Sequence, residues 1–253
     1  MRVDYHKEFS PRLGRDMEFK VYGSGGRPVL VFPTSKGRFY QYEDSGMVAV
    51  LEDWIDQRRL QIWAVDGIDE ETFHAEHPDH QARIARHEQY FAYIRDELLP
   101  RIRQESPGHG AGQDGVLLTG CSMGAYHAAN FFFRYPQGLA GVLALSGVYS
   151  TAQFFGDDLS GDLYFNSPLH SLPGLTDEAY LDAYRAAWLV FCCGQGAWED
   201  EMLDETRRLQ KVLDRLGVPA WFDYWGTDVN HDWPWWRRQV RYFLGEWLDS
   251  PAP

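Results

Sequence analysis

The segment Leu117-Leu118-Thr119-Gly120-Cys121-Ser122-Met123-Gly124-Ala125 constrains this chain more than any other. Residues 115–118 form an apolar run that predicts a buried strand, and residues 125–133 read as a helix. Between them stands Gly-x-Ser-x-Gly. A serine on so sharp a strand-to-helix turn is pushed out at the carboxyl end of its strand. The free N–H groups of the helix then face any anion that forms there. Backbones crowd at such a turn, so small residues are needed, and Gly120 and Gly124 supply them.

The rest of the chain alternates strands with helices. Residues 18–23 and 28–32 read as early strands joined by a hairpin-type turn at Gly23-Ser24-Gly25-Gly26. Further strands are expected over 60–65, 139–145, 188–193 and 220–225. Helices are expected over 42–58, 78–102, 201–216 and 235–248, with a loop over 108–114. Uninterrupted apolar strands between amphipathic helices imply a mostly parallel sheet covered on both faces. Residues 149–185 break the rhythm. They are rich in Gly, Asp, Ser and Pro, and they read as a lid-like excursion over the carboxyl edge of the sheet.

Bulk properties fit one α/β domain over residues 1–253. The 44 % hydrophobic content supports a single core of that size. No apolar stretch reaches the roughly 18 residues of a membrane span, and the N-terminus has no signal-peptide pattern. Three cysteines, two of them adjacent, argue against a disulfide framework and point to a reducing, cytoplasmic setting. A net charge of −13 disfavours nucleic acid and anionic membranes as partners. A small-molecule substrate is the expected partner, and oligomeric state is not legible.

These residues together resemble the α/β-hydrolase fold, with a mostly parallel central sheet, helices on both faces and an N-terminal antiparallel extension. Within it, the chain is similar to the "Putative esterase" branch that includes esterase D, feruloyl esterases and the antigen 85 mycolyltransferases. The resemblance is carried by residues 119–125, by Ala144-Leu145-Ser146-Gly147, by Cys193-Gly194-Gln195-Gly196 and by His231-Asp232-Trp233, and covers residues 10–248. It implies hydrolysis or transfer of an acyl group from an ester, with no cofactor and no metal.

In that fold a serine is followed in the chain by its acid and then by its histidine. Ser122 is the expected nucleophile. His231 follows the last strand and precedes the final helix, where a general base can reach back over Ser122; His170 comes too early. The acid should leave the strand over 188–193, in Gly194-Gln195-Gly196-Ala197-Trp198-Glu199-Asp200-Glu201. Asp200 is the expected acid and Glu199 its rival. Similarity to the esterase D loop implies Asp200, ahead of Glu201-Met202-Leu203, though only with a two-residue insertion. The oxyanion hole needs two backbone N–H groups. Met123 should give one, and the loop Phe32-Pro33-Thr34-Ser35-Lys36-Gly37 the other, at Ser35 in preference to Thr34.

Other chemistry-bearing residues have plainer readings. Cys121 adjoins the nucleophile, but the turn exposes its central residue and buries this neighbour. His74, His77 and His80 could ligate a metal, yet Pro78 interrupts any shared helical face, and a substrate contact from this loop is the alternative. Trp198 and Trp233 flank the acid and the base, either as packing or as a pocket wall. An acyltransferase or a silent binding protein on the same scaffold are the competing functional readings.

Overall fold

Strands buried along their whole length need cover on both faces, and residues 60–65, 116–121 and 139–145 are buried at every position. The computed structural model describes residues 1–106 and 115–249; the loop expected over 108–114 lies outside them. The described residues form one eight-stranded sheet: β1 (Val3–Ser10), β2 (Arg15–Tyr22), β3 (Arg27–Phe32), β4 (Leu60–Val65), β5 (Val116–Cys121), β6 (Leu139–Leu145), β7 (Trp188–Cys193) and β8 (Trp221–Tyr224). Their order is β1-β2-β4-β3-β5-β6-β7-β8. β1 and β2 run antiparallel to their neighbours, and every other pair is parallel. This is the α/β-hydrolase fold with its antiparallel N-terminal extension.

One expectation about that extension is corrected. Residues 23–26 do connect β2 to β3, but these strands are not neighbours, because β4 lies between them. The hairpin is instead β1–β2, turning at residues 11–14. β1 escaped the sequence reading because it is an edge strand of mostly polar residues, exposed or half-buried along all but its last position.

Apolar side chains pack on both faces. One cluster gathers Trp63, Tyr90, Phe91, Phe131, Phe132 and Phe191. The other gathers Leu51, Ile62, Leu143, Trp236, Phe243 and Trp247, with Trp225 and Trp233 packed against it, whereas Trp221 is exposed. The helix expected over 42–58 is broken into α1 (Gln41–Asp44), a 3-10 turn (Ala49–Leu51) and α2 (Glu52–Asp56). The long helix is α3 (His80–Tyr93), one π-turn (Ile94–Leu98) and α4 (Leu99–Glu105). Asp79 caps α3 by accepting from the N–H groups of Gln81 and Ala82, at 2.9 and 3.1 Å.

α5 (Met123–Arg134) follows β5 with no intervening loop and is buried from Met123 to Phe133. Between β6 and β7 the chain makes four short helices, α6 (Ala152–Phe155), α7 (Asp162–Phe165), α8 (Pro168–Ser171) and α9 (Glu178–Arg185). α10 (Asp200–Leu216) and α11 (Trp233–Asp249) complete the cover. No helix among the described residues is long and apolar enough to cross a membrane.

Candidate active site

Ser122 sits between β5 and α5 with φ 55° and ψ −123°, a conformation that L-residues rarely adopt. Its own N–H is used up, donating to Leu145 O at 2.9 Å. The hydroxyl has no hydrogen-bond partner among the described residues. Gly124 explains how the turn meets its surroundings. A Cβ there would lie 2.3 Å from Phe32 O and 2.7 Å from Pro33 O. Only a bare backbone lets the first turn of α5 rest against the end of β3.

That contact brings the loop after β3 to the serine. Ser35, Ser122, Met123 and Ser146 line one cleft of about 100 Å³. Its remaining walls are His74 and, from beyond, Val148, Gln153, Phe154 and Met202. Val148, Gln153 and Phe154 belong to the segment between β6 and β7, which therefore borders the serine. In the loop after β3, Thr34 N–H donates to Gln41 Oε1 at 3.0 Å and Lys36 N–H donates to Asp69 Oδ2 at 3.2 Å. The Ser35 N–H between them has no acceptor among the described residues. Met123 opens α5, so its N–H has no carbonyl of the helix to bond. Ser35 and Met123, the residues expected to give the oxyanion donors, thus line the same cleft as Ser122.

His231 is on the loop between β8 and α11, and its neighbour is Glu199. His231 Nδ1 lies 3.4 Å from Glu199 Oε2, a long contact between a largely buried ring and a carboxylate that is 1 % exposed. The loops carrying the two residues are laced together. Gly196 N–H donates to Val229 O at 2.9 Å, Ala197 N–H to Asn230 Oδ1 at 2.8 Å, and His231 N–H to Ala197 O at 3.0 Å. A Cβ on Gly194 would sit 2.2 Å from Val229 O, so this crossing also depends on glycine.

Asp200 does not take the expected place. It is exposed at the start of α10, while Glu199, one residue earlier, points inward. The sequence carried a signal for this. Along α10 the buried residues are Glu205, Thr206, Leu209 and Leu213, and Glu199 lies seven residues before Thr206 on the same side. Asp200 instead shares its side with the exposed Arg207, Lys211 and Asp214.

Glu199 is held from behind by Ser146, which the sequence marked only as part of the segment 144–147 and gave no role. Ser146 Oγ donates to Glu199 Oε1 at 2.6 Å and accepts from the Trp236 indole N–H at 3.0 Å. Ser146 has φ 54°. Cys193 Sγ adds a 3.3 Å contact to Oε2. Burial, and then the Glu199 charge, push the Cys121 and Cys193 thiols well up from their ordinary value. They stay protonated, as packing residues do. Four of the five non-glycine residues with positive φ are Lys36, Ser122, Ser146 and Trp198, all in loops at this edge of the sheet.

The histidines over 74–80 turn to separate partners. His74 Nε2 lies 3.3 Å from Ser35 Oγ on the cleft wall, and burial pushes its pKa down. His77 Nδ1 accepts from Asp79 N–H at 3.1 Å, and His80 Nδ1 pairs with Asp158 at 2.9 Å. Among the described residues no group of three or more His, Cys, Asp or Glu is placed to hold a metal. The Trp233 ring packs edge-on to Trp236 at 4.9 Å, whereas Trp198 is 83 % exposed at the rim. A larger cavity of about 520 Å³ opens at the far end of α5, beside Asn130 and Arg134, and does not include Ser122.

A family model described as "Putative esterase" matches residues 10–242. The fold is shared with a ferulic acid esterase at TM-score 0.76 and 18 % identity, over 98 % of each chain. The S-formylglutathione hydrolase FrmB of Staphylococcus aureus superposes at TM-score 0.72 and 16 % identity, over 98 % of this chain and 100 % of that one. MPT51 of Mycobacterium tuberculosis does so at TM-score 0.69 and 14 % identity, over 98 % of each. A search of curated proteins finds no match.

Proposed function

The chain belongs to the "Putative esterase" family of carboxylic ester hydrolases, and on that footing we propose that it cleaves small-molecule esters through an acyl-enzyme on Ser122. Ser122 Oγ attacks the ester carbonyl while His231 takes its proton. Glu199 fixes the imidazole tautomer and stabilises the imidazolium. The carbonyl oxygen becomes an oxyanion held by the Ser35 and Met123 N–H groups. The tetrahedral species collapses, His231 protonates the departing alcohol, and water releases the acid by the same route. No step calls on a metal or an organic cofactor.

The observation that carries this reading is the strained Ser122, its hydroxyl unpartnered, in one cleft with the unpartnered Ser35 N–H. Ser122 and His231 are not hydrogen-bonded to each other here, and catalytic hydrogen bonds commonly tighten only with substrate bound. A cleft of about 100 Å³ suits a short acyl group. The segment over 149–185 acts as the lid that shapes it. The test is steady-state turnover of p-nitrophenyl acetate by Ser122→Ala, with circular dichroism as the folding control. A loss of about three to six orders of magnitude is expected. Activity within tenfold of the parent would reject Ser122 as the nucleophile.

A further inference from the structure

The loop from β3 to α1 holds its three successive N–H groups in two different ways. Gln41 grips Thr34 twice, with Oε1 accepting from Thr34 N–H at 3.0 Å and Nε2 donating to Thr34 Oγ1 at 2.8 Å. Asp69 Oδ2 accepts from Lys36 N–H at 3.2 Å, and Lys36 is forced to φ 55°. Ser35, between these anchored neighbours, keeps its N–H free among the described residues and lines the cleft with Ser122.

Asp69 is itself built in. It is 3 % exposed, and its other oxygen lies 2.8 Å from Nε2 of the buried His127, on α5 below Ser122. Its backbone carbonyl accepts from His74 N–H at 2.8 Å. A buried carboxylate is costly unless its oxygens are satisfied. Here one oxygen ties the loop and the other ties α5, so Asp69 bridges the segments that carry Ser35 and Met123.

We infer that Gln41 and Asp69 are positioning residues for the oxyanion hole, fixing the Ser35 N–H in its orientation toward the ester carbonyl. The inference rests on the serine-esterase reading above. Neither side chain touches substrate. Each removes an alternative conformation in which Thr34–Lys36 would rotate the Ser35 N–H away from the developing charge. Preorganised donors of this kind act on the transition state and leave ground-state binding nearly alone.

The test compares Gln41→Ala and Asp69→Ala with Gln41→Glu and Asp69→Asn, which keep an acceptor for the anchored N–H. Two readouts are used: kcat and KM for p-nitrophenyl acetate, and affinity for a short alkylthio-trifluoromethyl ketone. Ser122 Oγ adds to the ketone's carbonyl carbon, its proton passes to His231, and the carbonyl oxygen is left as an oxyanion in the hole. Each alanine variant should lower kcat by about 10- to 100-fold with KM within about threefold, and weaken the ketone by the same factor. The acceptor-keeping variants should recover to within about fivefold of the parent. Should Asp69→Ala fail to fold, the Gln41 pair decides, because Gln41 is only half-buried and lies outside the core. Parent-like kcat and ketone affinity in folded Gln41→Ala would overturn the inference, as would a lost rate with ketone affinity unchanged. Failure of the underlying reading looks different: Ser122→Ala would keep its turnover and the ketone would bind neither parent nor variants, which sinks both.

Discussion

Glu199 Oε2 faces His231 Nδ1 at 3.4 Å across two loops, one leaving β7 and the other leaving β8. The neighbouring Asp200 points to solvent. The two residues are adjacent in sequence and carry the same charge, so exchanging each for its amide separates orientation from electrostatics. Glu199→Gln should lower kcat by about three to four orders of magnitude, because the amide no longer holds the tautomer that a base needs. Asp200→Asn should stay within about threefold, since an exposed charge at a helix start contributes little. Steady-state kinetics on one activated ester decides. A larger loss at Asp200 would make Asp200 the acid, and equal losses would reject Glu199 as the one carboxylate that holds the imidazole.

Ser146 should tune the same pair. Its O–H donates to Glu199 at 2.6 Å, and Trp236 holds it in place. A hydrogen bond to a charged group is worth about 1.5–3 kcal/mol, so Ser146→Ala should cost roughly 10- to 100-fold in kcat. A parent-like kcat in folded Ser146→Ala would mean that this hydrogen bond does not hold Glu199 in its working position.

His87 should make stability depend on pH. It is buried, both ring nitrogens lack hydrogen-bond partners, and burial, then the His127 and Arg134 charges, push its pKa well below the usual value. The folded protein keeps this ring neutral, while the unfolded chain takes up a proton below about pH 6.5. Stability from this group is thus full above about pH 6.5 and falls by about 1.4 kcal/mol for each unit of acidification below it. The ring sits among Phe73, Tyr90 and Phe91, so His87→Phe keeps the packing and removes the proton. Urea melts at pH 7 and pH 5.5 should show a smaller acid loss in His87→Phe than in the parent. Equal losses would mean that His87 does not titrate on unfolding.

What the sequence made legible follows from how local each signal is. The Ser122 turn, the parallel strands and the loop bearing His231 each announce themselves within a few residues. β1 and the β2–β4 pairing do not, because strand order is set by contacts far apart in the chain, and a polar edge strand carries little hydrophobic pattern. Choosing between Glu199 and Asp200 takes one more step. The two tie on composition, and only the phase of α10, in which Glu199 aligns with Thr206 and Leu213, tells inward from outward. Ser146 and Asp69 were hidden for a deeper reason. Their partners, Trp236 and His127, lie 90 and 58 residues away.

The most direct test of the serine chemistry is intact-protein and peptide mass spectrometry after brief exposure to a fluorophosphonate. One phosphonyl group is expected per chain, carried by the peptide containing Ser122, absent from Ser122→Ala and formed far more slowly in Glu199→Gln. A folded parent that takes up no label, or that takes it at another residue, would contradict Ser122 as the nucleophile.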